Sequence, residues 1–205
     1  MPDTFEDVVN GYLEDASATF LAYKRLAERA LAEVDDDEFF RVGAPESNSI
    51  ALIVKHIAGN QRSRWTNFLT EDGEKPDRNR DSEFEDESVD RDSLMRKWAE
   101  GWTILFEAID SLGAEDLKGS VAIRGEKHTV VQAINRQLTH YAYHTGQIVL
   151  LAKEFKGENW RSLSVPRNRS RQFNEFLAKK AEQGAEASHP LEGPAEFTEV
   201  EADKN

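Results

Sequence analysis

The 205-residue chain has no cysteine. That excludes disulfides, thiolate metal sites and cysteine nucleophiles, so any metal must be held by His, Asp, Glu, backbone or water. No run approaches the roughly 18 apolar residues of a membrane span. Basic residues are outnumbered: 26 Lys and Arg against 39 Asp and Glu leave a net charge of −13. Such a surface repels phosphate backbones and sets nucleic-acid partners aside. The H-E-x-x-H pattern of zinc proteases, a Gly-rich phosphate loop and a G-x-S-x-G elbow are all missing. The opening residues, Met1-Pro2-Asp3-Thr4-Phe5-Glu6-Asp7, have no apolar core, so no secretory signal is expected and the cytoplasm is the expected location. Asn168-Arg169-Ser170 then has no meaning as a glycosylation site.

What is present is mostly helical patterning. Leu13, Phe20, Leu21, Leu26 and Leu31 recur at helical spacing and predict a first helix over about 3–34. The acids 35–38 and Gly43-Ala44-Pro45 break it, and Ser47, Asn48 or Ser49 can cap a second helix running to about Leu69. The charged stretch 70–90 is read as a long surface loop, a kind that is uncommon inside a domain and often functional. A third helix is expected over about 91–112. A brief extended piece, 121–124, precedes the turn at Gly125. Thr129-Val130-Val131-Gln132 has the form of a capping box and opens a fourth helix over about 130–155. A shorter helix is expected over about 169–180. The expected fold is therefore all-α, a four-helix bundle spanning residues 1–180 with a short extra C-terminal helix. Residues 181–205 carry seven acids, one lysine and two prolines and too little apolar material to repay ordering, so they are expected to form a disordered acidic tail.

The chemistry lies in the histidines. His140 and His144 are four apart, on one face of the fourth helix with Ala133, Gln137, Ile148 and Leu151. A largely buried stripe must give its imidazoles partners, since an unpaired buried polar group costs about 1–3 kcal/mol. One divalent metal would serve both, and ordinary hydrogen bonds to neighbours are the alternative. His56 lies beside the core stripe of the second helix and can supply a third nitrogen, leaving a coordination position open as catalytic sites do. Asn60, one turn on, can orient a ligand or bond across helices. Gly146-Gln147 after His144 can admit a neighbouring backbone or serve packing alone. His128 looks peripheral, and His189 falls in the tail. A basic stretch from Trp160 to Arg171 includes Arg167. With Arg78 and Arg80 of the long loop it can hold an anionic substrate, arginine forks being suited to carboxylates and phosphates. Pairing of these arginines with the abundant acids is the alternative that the composition favours.

His56, then His140-x-x-x-His144-Thr145-Gly146-Gln147-Ile148, resembles the DinB-like superfamily of bacterial four-helix metalloproteins. Ile53–Trp65, Asp72–Phe84 and Trp160–Ser164 resemble one uncharacterised branch of it. The resemblance covers roughly residues 5–178. It implies a three-histidine site for nickel, zinc or a similar divalent ion, with His56, His140 and His144 as the matching ligands, and often a homodimer. Relatives include metal-dependent transferases of low-molecular-weight thiols such as bacillithiol, and mycothiol-dependent maleylpyruvate isomerases. Others have no assigned activity. The expected function is thus metal-dependent activation of a small-molecule thiol, or of water, with Asn60 and Gln147 as orienting groups. No general base stands out on the same faces, which favours thiolate attack over hydrolysis. A metal-stapled binding or stress-related helical protein is the rival from another class, and a metal-free helical scaffold is a third.

Overall fold

Helix starts in this chain are marked by side chains that satisfy the orphan backbone amides of the first turn. The computed structural model describes residues 4–85 and 89–184. In it Thr4, Asp35 and Thr129 each build a full capping box, with Asp7, Glu38 and Gln132 reaching back. The elements that follow are α1 (Phe5–Glu33), α2 (Asp36–Phe40), α3 (Ile50–Trp65), α4 (Arg91–Asp110), α5 (Ala114–Leu117), β1 (Ser120–Ile123), β2 (Glu126–Thr129), α6 (Val130–Lys156) and α7 (Ser170–Glu182).

The fold is an all-α bundle. The four long helices α1, α3, α4 and α6 pack chiefly as two pairs, α3 along α4 and α1 along α6, with α3 also meeting α6. Their shared interior holds Phe20, Trp65, Trp98, Trp102 and Tyr141, all buried. Phe20 meets the edge of Trp65 at 5.7 Å and tilts against Tyr141 at 5.8 Å. The Trp65 indole Nε1 donates to Tyr141 Oη at 3.1 Å, and that hydroxyl donates to Asn60 Oδ1 at 3.0 Å. A single hydrogen-bonded relay therefore crosses from α3 to α6 and back inside the apolar core.

Several expectations need correction. The acids 35–38 do not merely break α1: Asp35 caps a further short helix, α2. The second long helix ends at Trp65, not Leu69. Asn67 takes a left-handed conformation (φ 50°), and its carbonyl accepts from both Thr70 and Glu71 at 3.0 Å. The apolar Phe68 that made the helix look longer instead packs back on Trp65 at 4.9 Å. The brief extended piece is one arm of a two-stranded antiparallel hairpin, β1 with β2, closed by Arg124 (φ 56°) and Gly125 (φ 75°). The short final helix, expected over about 169–180, spans Ser170–Glu182; of the expected tail, residues 185–205, and His189 with them, lie outside the described residues. No helix among the described residues is long and apolar enough to cross a membrane.

Candidate metal centre

α3 delivers His56 and α6 delivers His140 and His144, and the three rings converge. His56 Nε2 stands 3.2 Å from His140 Nε2, and His144 Nε2 stands 3.1 Å from it. One ligand atom from each histidine lies within 4.8 Å of those of the other two. His56 and His144 are buried, and His140 is partly so.

The groups behind the rings set their tautomers. His56 Nδ1 donates to Glu83 Oε2 at 2.8 Å. Burial pushes the Glu83 carboxyl up, but hydrogen bonds from His56 and Arg78 outweigh it and hold the group below its ordinary range, ionised and able only to accept. His144 Nδ1 donates to Gln147 Oε1 at 2.7 Å. Burial, reinforced by the neighbouring imidazoles, pushes His140 down to about 3 and His144 to about 4, so both are neutral near pH 7. A neutral His56 or His144 with its proton on Nδ1 presents Nε2 as a bare lone pair. His140 Nε2 faces both of them, and a single proton there can satisfy only one. His140 Nδ1 is itself buried with no partner among the described residues. The centre therefore has an excess of electron pairs directed at one another, which a cation relieves. Nitrogens sharing a metal at about 2.1 Å stand about 3.0–3.4 Å apart, which is the spacing of His140 Nε2 from both His56 Nε2 and His144 Nε2. The donor set fits a divalent ion of borderline softness.

The loop after α3 completes the centre. Its 3₁₀ turn, Asp81–Phe84, brings Glu83 to one edge of His56 and lays Phe84 against the imidazole face at 4.8 Å. Arg78 holds both Glu83 oxygens, through Nε at 2.8 Å and Nη2 at 2.9 Å. It also meets Glu74 at 3.2 Å, which in turn pairs with Arg64 at 2.9 Å and Arg124 at 3.3 Å. Carboxylate–histidine pairs of this kind fix ring orientation and raise ligand basicity in metal sites. Glu83 was not among the residues expected at the site. Its signal was only its place in an unusually long loop, since it is 27 residues from His56 in the chain.

Beside the rings opens a cleft of about 390 Å³ lined by His56, His140, Asn60, Gln137, Tyr143 and arginines from α3, the loop after it, the hairpin turn and α6. Asn60 lines this cleft and also accepts from Tyr141. Of the three arginines expected to hold an anion, Arg80 lines the cleft. Arg78 also lines it but spends its guanidinium on Glu83 and Glu74. Arg167 is exposed in the connection between α6 and α7 and is not among the lining residues, while its neighbour Arg171 pairs with Glu175 at 3.1 Å. Arg64, Arg124 and Arg136 also line the cleft and were missed. Arg136 had a legible signal, lying one turn before His140 on the same helix face. His128 sits half-buried on β2, 3.9 Å from Glu126 and apart from the three rings. Among the described residues nothing lies within 4 Å of a β-carbon built at Gly146, and no neighbouring helix backbone approaches it. A roomier groove of about 550 Å³ between residues 65–70 and the end of α4 has no histidine or basic residue in its lining.

No curated protein matches the chain, and no solved structure matches it. Residues 7–169, which include all three histidines, Glu83 and the five arginines of the cleft, match a family described as a protein of unknown function, DUF1572. That match spans most of the chain, and the protein belongs to this family, a member of the DinB-like clan.

Proposed function

We propose that the protein is a divalent-metal-dependent enzyme, a transferase that activates a low-molecular-weight thiol, or a water, at His56, His140 and His144. The ion is nickel, zinc or a similar divalent cation. The observation that carries this reading is the meeting of three imidazole Nε2 atoms at 3.1 and 3.2 Å, two of them with Nδ1 already committed to Glu83 and Gln147. A bound divalent ion with one position open would lower the pKa of a coordinated thiol or water and so supply a nucleophile at neutral pH. The chain's own residues do the rest. Glu83 and Gln147 hold two rings in the ligating tautomer, Phe84 shields the face of His56, and the cleft positions the acceptor. Glu83 is tied to Arg78 by two hydrogen bonds and is thereby removed from service as a general base, which favours thiolate attack over hydrolysis.

One observation favours a second reading. α3 packs on α6 far less extensively than on α4, so an ion bridging His56 to α6 would also staple the two halves of the bundle. The decisive experiment measures metal content by elemental analysis and turnover of several cellular thiols with a chromogenic electrophile. The expected result is stoichiometric metal, lost in His144→Ala together with turnover. Metal content unchanged by His144→Ala would remove the site. Metal bound, a large loss of thermal stability on chelation and no turnover with any thiol would leave the staple.

A further inference from the structure

We infer that the cleft beside the three histidines binds a small molecule through an oxyanion group, a carboxylate or phosphate, gripped by Arg80 and Arg136. The protein as a whole carries a net charge of −13, yet this one cleft is lined by Arg64, Arg78, Arg80, Arg124 and Arg136 and, among the described residues, by no carboxylate. Two carboxylates stand behind the guanidinium groups. Glu74 pairs with Arg64, Arg78 and Arg124, and Glu83 pairs with Arg78. Arg80 and Arg136 have no acidic partner among the described residues. Of the two loop arginines expected to pair with the abundant acids, Arg78 does so, and Arg80 does not among the described residues.

Both free guanidinium groups are placed with respect to the histidines. Arg136 is one helical turn before His140 and two before His144, so the three side chains form one stripe on α6. Arg80 stacks over the ring of Phe84 at 5.0 Å, and Phe84 stacks on His56 at 4.8 Å. Two polar residues of the lining between them, Gln137 and Asn60, are buried. Gln137 is 3 % exposed. Asn60, 5 % exposed, has its oxygen engaged by the Tyr141 hydroxyl, whose own oxygen is taken by Trp65. That direction of donation assigns the Asn60 NH₂ as a remaining donor beside the cleft. Low-dielectric walls lined by one sign of charge concentrate ligands of the opposite sign. Planar arginine forks match both carboxylate and phosphate oxygens. A volume of about 390 Å³ suits a small metabolite. This inference rests on the proposed function above, because the gripped molecule would be the one whose other end reaches the metal centre.

The test is isothermal titration of the full-length protein with inorganic phosphate and with succinate, with metal content measured in parallel. Saturable binding that falls about tenfold or more in Arg80→Ala and in Arg136→Ala is expected, the loss of one charge-assisted hydrogen bond being of that size. Arg167→Ala should bind like the wild type. The probe that binds more tightly names the group. No binding of either probe, or binding untouched by both cleft substitutions, overturns the inference. Both arginines are exposed, so unfolding does not confuse the result, and circular dichroism checks it. Oxyanion binding that depends on Arg80 and Arg136 in a protein that never takes up metal would uphold the cleft and sink the metal reading. Metal bound normally with indifferent arginines would do the reverse.

Discussion

Gly59 lies directly beneath the carboxylate of Glu83, and a β-carbon at position 59 would overlap Oε1. The absence of a side chain on α3, three residues after His56, is what lets the loop carboxylate come within hydrogen-bond reach of the ring. Gly59→Ala is therefore expected to push Glu83 off His56 without removing any ligand. Its effect should match that of Glu83→Gln, which keeps the volume but loses the charge. Both should weaken metal affinity by about 10–100-fold, the usual cost of losing a partner that orients a ligating histidine. Competition with a chromogenic chelator measures it, and wild-type affinity in both variants would mean that Glu83 does not support the centre.

The relay from Trp65 through Tyr141 to Asn60 is buried along its whole length. Tyr141→Phe leaves an indole N–H and an amide oxygen without a partner while keeping the ring packed against Phe20 and Trp102. The expected cost is about 2 kcal/mol of stability, read as a lower urea midpoint at unchanged slope. A midpoint indistinguishable from wild type would show that the relay is energetically idle.

Acid should unfold the metal-free protein by way of the site. His140 and His144 take up a proton near the ordinary 6.5 when unfolded but only at about 3 and about 4 when folded. The unfolded chain therefore binds more protons in between, and protonation favours unfolding. Stability is full above about pH 6.5 and falls as the pH drops toward 4. The depressed Glu83 acts in the same direction, losing its contribution at lower pH still. Replacing both α6 histidines with Gln should flatten the curve between pH 6.5 and 4, as followed by thermal melts. An equally steep curve in that variant would assign the acid sensitivity elsewhere.

Gly146 lies within α6, and among the described residues nothing fills the space where a side chain would go. Gly146→Ala should stabilise the protein by about 0.5–1 kcal/mol through helix propensity and the less flexible unfolded chain, and metal content should not change. Destabilisation would expose a neighbour at this position, such as a second copy of the chain.

The helices and histidines were legible because their signals are local. The spacing of His140 and His144 needs only the 3.6-residue period, and the capping box at Thr129 needs only four residues. His56 could be joined to them because α3 shows its own apolar stripe. The ends of elements were less legible. Phe68 continued the apolar pattern past Trp65, and only the left-handed Asn67 reveals the stop. The second layer around the rings was not legible at all. Glu83 is 27 residues from His56 and lies in a charged loop that has no periodicity. In a chain with 39 acids nothing local distinguishes this one from the others. The same excess of acid favoured pairing for Arg78, Arg80 and the arginines of the 160–171 stretch. Which ones are left over is decided by the tertiary placement of Glu74, which gathers three of them.

The Arg124–Gly125 turn carries a consequence for the three histidines. Its two amides both donate to the carboxylate of Asp72, at 2.8 and 2.7 Å, and Gly73 N donates to Ala122 O at 2.8 Å. The hairpin is thereby buttoned to the stretch that goes on to supply Glu74, Arg78 and Glu83. Lengthening the turn by one residue would unfasten Asp72 and slacken the tether that carries the His56 clamp, so an insertion more than sixty positions away along the polypeptide would be felt at an imidazole it never touches.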